Sequence, residues 1–396
     1  MKHSLSKNIR VIFFLLFITS LVRLSWLVRA DTGTCGGQMI TLPFTDVTAG
    51  NVFFCSIAEA FFSGLTNGTS GTTYSPGNPV PREQMAAFVT RTMDQSLKRG
   101  SRRASLKQWW TPTGVLDLAL TTVGSVPELV ESDGADLWVP NFISGTVSRV
   151  RGSDGKLVET WTGATEAGGV VVATGRVFIA GGSTPGALYQ IDPKQPAGPV
   201  AFLTNVGDSP QGIAFDGARV WTADSGSPGS VSIVTLSPAG VTTVSTGFVH
   251  PVGILFDGTN IWVTDSDNMI KRLDSNGNIL QSVPVGDNPH TPVFDGTNIW
   301  VPNNNSNSVT VVRAATGTVL ATLSGNGLNG PDVGAFDGER ILITNQSGNS
   351  VSLWMGADLT PLGSFSTGAS SQPFGACSDG LNFWIALSGT GKLARF

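Results

Sequence analysis

Apolar residues along most of this chain alternate over short runs broken by Gly, Asn and Asp, the pattern of half-buried strands and not of helices. In the stretch from Pro251, residues 252–256 read as a first strand and Asp257-Gly258 as a tight hairpin turn that requires positive φ, with a second strand at 261–263. A polar loop at 265–268 leads to a third strand at 269–273, and beyond Ser275-Asn276-Gly277 a fourth runs over 279–285. The unit recurs. Phe256-Asp257-Gly258-Thr259-Asn260-Ile261-Trp262 returns as Phe294-Asp295-Gly296-Thr297-Asn298-Ile299-Trp300, and weaker copies lie at Asp133-Gly134, Asp216-Gly217, Asp337-Gly338 and Asp379-Gly380. The spacing of about 40 residues belongs to solenoids and propellers. One copy has lost its signature and survives as 170–179, with Thr174-Gly175 at the turn.

Four antiparallel strands per repeat make a propeller blade. The last repeat stops at Phe396 after its third strand, and an unclaimed strand at 115–123 precedes the first full repeat. Pairing the two closes the ring and removes its open edges. The fold expected is mainly β, a seven-bladed β-propeller of four-stranded antiparallel blades over 113–396; a misreading of the Val170 unit would make it six or eight. Trp138, Trp221, Trp262, Trp300 and Trp384 fall at equivalent second-strand positions and are expected to build the core.

The N-terminus differs. Lys2, Lys7 and Arg10 precede an apolar run, and Val28-Arg29-Ala30 offers a small-residue cleavage site, so residues 1–30 read as a signal peptide. An uncleaved anchor is the alternative, but the run is short for a span of about 20 residues, and no later segment is apolar enough to cross a membrane. A net charge of −4 with 13% charged residues leaves no basic footprint for nucleic acid. Of the three cysteines, Cys35 and Cys55 suit a disulfide in an oxidising compartment, and Cys377 reads as a small buried hydrophobe. The lack of CxxC pairs argues against structural zinc. Residues 98–112 form a basic, small-residue linker.

Residues 40–95 read as helical. One expected helix at 51–63 is apolar at Phe53, Phe54, Ile57, Ala60 and Phe61, and another at 82–93 at Met85, Phe88, Val89 and Thr92. Phe44-Thr45-Asp46-Val47, residues 57–64, Tyr74-Ser75-Pro76 and Pro81-Arg82-Glu83-Gln84-Met85-Ala86-Ala87-Phe88 together resemble one S-layer homology module, placed at 31–97. The resemblance implies attachment to bacterial cell-wall polysaccharide, with Arg82 and Glu83 where that family keeps a Thr-Arg-Ala-Glu motif and Pro81 replacing the threonine. A guanidinium fork suits a carboxylated sugar. Members that anchor usually carry three modules, and this chain shows one; a plain two-helix cap is the alternative.

Residues 288–324 are similar to the YVTN-type propeller repeat, a resemblance that implies a surface or periplasmic binding scaffold. Just after successive second strands stand Asn141, Gly181, Asp224, Asp265, Asn303, Asn345 and Leu387, and His250 and His290 lie on inter-blade loops of the same face. Asn141, Asp224, Asp265, Asn303, Asn345, His250 and His290 are therefore the candidate binding residues for a polar ligand. Turn chemistry alone also favours Asn and Asp there. No cofactor is expected, a divalent cation on the ring being the weaker alternative, and Asp265 and Asp267 lack the Gly and Glu of an EF-hand loop.

There is no GxSxG, HExxH or phosphate-binding loop, and Gly325, Gly327 and Gly330 join two blades with no helix after them. The enzymatic alternative is a resemblance to streptogramin lyases, which implies a histidine, His250 or His290, working with magnesium. The expectation is an exported, non-catalytic envelope protein with a wall-binding module and a propeller for an unidentified ligand.

Overall fold

The computed structural model describes residues 31–35, 38–62, 66–90 and 119–396, and the chain divides into two compact units, Met1–Ser105 and Leu106–Phe396. The expected signal peptide, basic linker, helix positions 91–93 and strand residues 115–118 lie outside the described residues. No helix among the described residues is long and apolar enough to cross a membrane.

In the first unit, Thr32–Cys35 pairs antiparallel with Gln38–Thr41 beside the helix Phe54–Phe62. Leu42, Phe44, Val47, Phe54, Ile57 and Ala58 form its buried core. The helix starts later than its pattern predicts because Asn51 closes a turn ahead of it, its Oδ1 accepting from Phe53 N at 2.8 Å and its O from Phe54 N at 2.9 Å. That turns Phe53 outward, 65% exposed, and Ala58 takes its place inside. Asp46 ties the later loop down, accepting from Tyr74 N at 2.8 Å and Ser75 N at 2.6 Å. The second helix is present over 82–90, with Met85 and Val89 half exposed.

Seven four-stranded antiparallel sheets make the second unit, numbered as blades 1 to 7: 131–162, 167–206, 210–244, 251–284, 293–324, 331–366, and 373–395 with 119–122. Blade 4 shows why the pattern was readable. Its strands are Pro251–Phe256, Ile261–Asp265, Met269–Leu273 and Ile279–Pro284, and the turn glycine Gly258 has φ 91°. In blade 7 the fourth strand is Ala119–Thr122, paired antiparallel with Lys392–Arg395.

The recurring Asp-Gly-to-Trp phrase is one hydrogen-bonded device. Asp257 Oδ1 accepts from Thr259 N at 2.8 Å and Asn260 N at 2.7 Å, while Oδ2 accepts from Trp262 Nε1 at 2.7 Å. The same indole bond joins Trp138 to Asp133, Trp221 to Asp216, Trp300 to Asp295 and Trp384 to Asp379. All five indoles are fully buried and pack on the following blade, as Trp262 does on Ile299 and Val301. Where Leu342 replaces the indole in blade 6, Arg340 Nε donates to Asp337 Oδ2 instead, at 3.0 Å. Blade 2 loses both halves together, with Thr174 at the turn and Phe178 in the strand.

Candidate ligand site at the propeller axis

In blades 1, 3, 4, 5 and 6 the residue ending the second strand pairs in register with a first-strand proline: Asn141, Asp224, Asp265, Asn303 and Asn345 face Pro127, Pro210, Pro251, Pro289 and Pro331. All five side chains are fully buried. The amides donate to hydroxyls of the third strand and accept from the incoming inter-blade loop. Asn303 Nδ2 reaches Ser308 Oγ at 3.1 Å and Thr310 Oγ1 at 3.0 Å, and its Oδ1 accepts from Gly286 N at 3.1 Å. Asn141 and Asn345 repeat this with Ser148 and Ser352 and with the N–H groups of Gly124 and Asn329.

A carboxyl at this position can only accept when ionised, so its surroundings change. Asp265 accepts from Val249 N, His250 N and the buried Lys271 Nζ, the last at 2.6 Å. Asp224 accepts from Thr222, Ser230 and Ser232 hydroxyls, and burial, only partly offset by those bonds, pushes it up to about 6. The five ring residues thus lock blades to loops, with their hydrogen-bonding capacity turned inward.

The two histidines part company. His250 is exposed, and its Nδ1 lies 3.4 Å from Ser266 Oγ. His290 follows the first-strand proline of blade 5, and its Nδ1 is in close contact with Asp332 Oδ1 of blade 6. That contact makes Nδ1 the donor; Nε2 then accepts from Asn288 Nδ2 at 3.1 Å.

The position after the first-strand proline is the register missed in the sequence. It holds Glu128, Gln211, Val252, His290, Asp332 and Phe374, with Gly168 in its place in blade 2. First strands are innermost, and here neighbouring ones are joined by Thr291 N to Asp332 O at 3.1 Å, Gly375 N to Glu128 O at 3.1 Å and Leu129 N to Gly168 O at 3.3 Å.

Asp332 is fully buried; beyond the His290 contact its oxygens accept no hydrogen bond. Glu128, half-buried on blade 1, is pushed to about 7 first by desolvation and then by the Asp332 charge. Blade 7 stands between these two residues, so their charges meet at the axial end and not along one interface. A Cβ on Gly168 would sit 2.6 Å from Glu128 Oε2, so the glycine makes room for that carboxyl. The outcome is an acceptor-rich spot with few donors. Its legible signal was the Pro-Glu, Pro-His and Pro-Asp at matched positions of blades 1, 5 and 6.

Arg82 and Glu83 belong to the other unit, where both are exposed at the start of helix 82–90. Cys55 is disulfide-bonded, and the Cys35 side chain lies outside the described residues. Cys377 is free and buried, its thiol pushed well up by desolvation.

No protein-family model matches the chain, and no curated protein does. Solved structures share its fold. Virginiamycin B lyase from Staphylococcus aureus is 17% identical with a TM-score of 0.60, covering 70% of this chain and 98% of that one. A streptogramin B lyase is 17% identical, TM-score 0.58, over 70% and 97%. Kuenenia stuttgartiensis hydrazine synthase is 16% identical, TM-score 0.58, over 71% and 98%. At such identities the likeness defines a class, the seven-bladed β-propellers, and no shared chemistry.

Proposed function

We propose that this protein is an exported bacterial envelope protein whose S-layer-homology-like module attaches to cell-wall polysaccharide and whose propeller is a non-catalytic binding scaffold. The observation that carries the binding reading is Asp332, a fully buried carboxyl group with an oxygen left without a partner at the axis. A buried acceptor without a donor costs about 1–3 kcal/mol, which an arriving ligand would recover. Export is supported by the signal-like N-terminus and by the disulfide at Cys55, which belongs to an oxidising compartment. Attachment is supported by the exposed Arg82 at a helix start, a placement from which its fork can take a carboxylated sugar.

Co-sedimentation of the purified protein with isolated bacterial cell walls tests the attachment. Arg82→Ala is expected to weaken binding about tenfold or more, and Arg82→Lys to restore only part of it, because the ammonium keeps the charge but loses the fork. Equal pelleting of all three proteins, or none by the native chain, would remove wall attachment from the reading.

A second reading is a propeller enzyme resembling the streptogramin lyases. What favours it is the carboxyl–histidine contact of Asp332 with His290, which orients an imidazole with Nε2 as its basic nitrogen. That resemblance implies magnesium. Among the described residues no three His, Cys, Asp or Glu side chains come together as a ligand set.

A further inference from the structure

The axial cluster has a chemistry more specific than "polar ligand", and we propose that it is a receptor for a primary alkylammonium group, held by Asp332 with Glu128 as a second carboxyl. This inference rests on the binding reading of the propeller and is independent of wall attachment.

Three observations carry it. Asp332 is fully buried with no hydrogen bond to its free oxygen, and such a group calls for a donor from outside the chain. Among the described residues no lysine or arginine reaches Asp332 or Glu128; the nearest comparable buried pair, Lys271 with Asp265, shows how this fold satisfies a carboxyl when it supplies its own ammonium, at 2.6 Å. Blade 7, which stands between blades 6 and 1, carries Phe374 at the same register position, and an aromatic residue at that register suits an organic cation.

Alternatives fit less well. An anion would meet two acidic groups with, among the described residues, His290 alone to oppose them. A divalent metal wants several protein ligands with tight geometry, and no set of three is present among the described residues. A quaternary ammonium carries the charge but no N–H, so it would leave the Asp332 oxygen as it is. A primary ammonium brings three donors on one charge.

Isothermal titration of the purified protein with n-butylammonium chloride tests this, beside n-butanol, tetramethylammonium, magnesium chloride and N-acetylglucosamine. Saturable binding of butylammonium is expected, with n-butanol silent and tetramethylammonium weaker. Asp332→Asn should weaken it by about 10–100-fold, the value of a charge-assisted hydrogen bond. Because Asp332 is buried, Glu128→Gln serves as the second variant, a change of nearly equal shape at a side chain that is only partly buried, and a several-fold loss is expected there. Binding of butylammonium that both variants retain would overturn the assignment. Magnesium or N-acetylglucosamine binding that depends on Asp332, with butylammonium silent, would keep the site and reject the ammonium. Silence from every probe would reject both.

Discussion

An amide can donate and accept from one side chain, and the second-strand ends of this propeller use both capacities at once. Asn141, Asn303 and Asn345 send their nitrogens to third-strand hydroxyls and their oxygens to a loop N–H. Asp224 stands in the same register without the nitrogen, and its ionised form is the one that burial penalises. Its folded value, about 6, lies above the ordinary 3.8, so the stability it contributes is full below about 3.8 and is lost as pH rises through about 6. A shift of that size corresponds to about 3 kcal/mol at most at pH 7. Asp224→Asn should therefore raise the melting temperature at pH 7.5 by several degrees, with the Ser232 hydroxyl rotating to accept as Ser352 does for Asn345. Thermal denaturation at pH 3.5 should show the difference nearly gone. An equal shift at both pH values would mean that ionisation of Asp224 is not the cause. From sequence, Asn and Asp at this position looked equivalent; burial is what separates them, and burial is not written in a tetrapeptide.

At the level of elements, strands were legible because each is punctuated by a chemical device. The Asp-Gly turn needs the left-handed glycine, and its aspartate holds an indole five residues on, so the phrase repeats wherever that packing does. Blade 2 was harder to read because it abandons aspartate and indole as a pair. Helix ends were less legible: a turn closed by Asn51 occupies the place where the apolar periodicity alone would begin a helix, and it leaves Phe53 exposed. The strand Ala119–Thr122 is the element with the largest consequence, since it lies far in sequence from Lys392–Arg395 and pairs along four residues, extended by Val123 N to Gly391 O at 3.0 Å. Deleting 119–122 would expose the edge of blade 7 and remove hydrogen bonds worth about 2–4 kcal/mol in sum. A lower melting temperature with concentration-dependent aggregation is expected in light scattering, and a synthetic peptide spanning 115–124 should reverse part of both. An unchanged, monodisperse protein would show that the ring does not depend on this strand.

At the scale of the molecule, the axis gathers residues that the chain keeps far apart. Glu128 opens blade 1 and Asp332 lies two blades away around the ring, so their meeting depends on the number of blades and on which strand is innermost. His290 could be singled out as one of few histidines, but its partner shows only through the matched Pro-Asp position of blade 6, which is read once the repeats are laid in register. Convergence also bears on the lyase reading. A lyase built on His290 needs Nε2 free to take a proton and a metal beside it; here Nε2 accepts from Asn288 at 3.1 Å, and no three-ligand set is present among the described residues. On the binding reading, the purified protein is expected to leave a streptogramin B antibiotic intact, with or without magnesium, when the remaining substrate is followed by reversed-phase chromatography. Magnesium-dependent loss of the substrate that disappears in His290→Ala would reverse the order of the two readings. Retention of that loss in His290→Ala would instead trace it to a group outside the axial cluster.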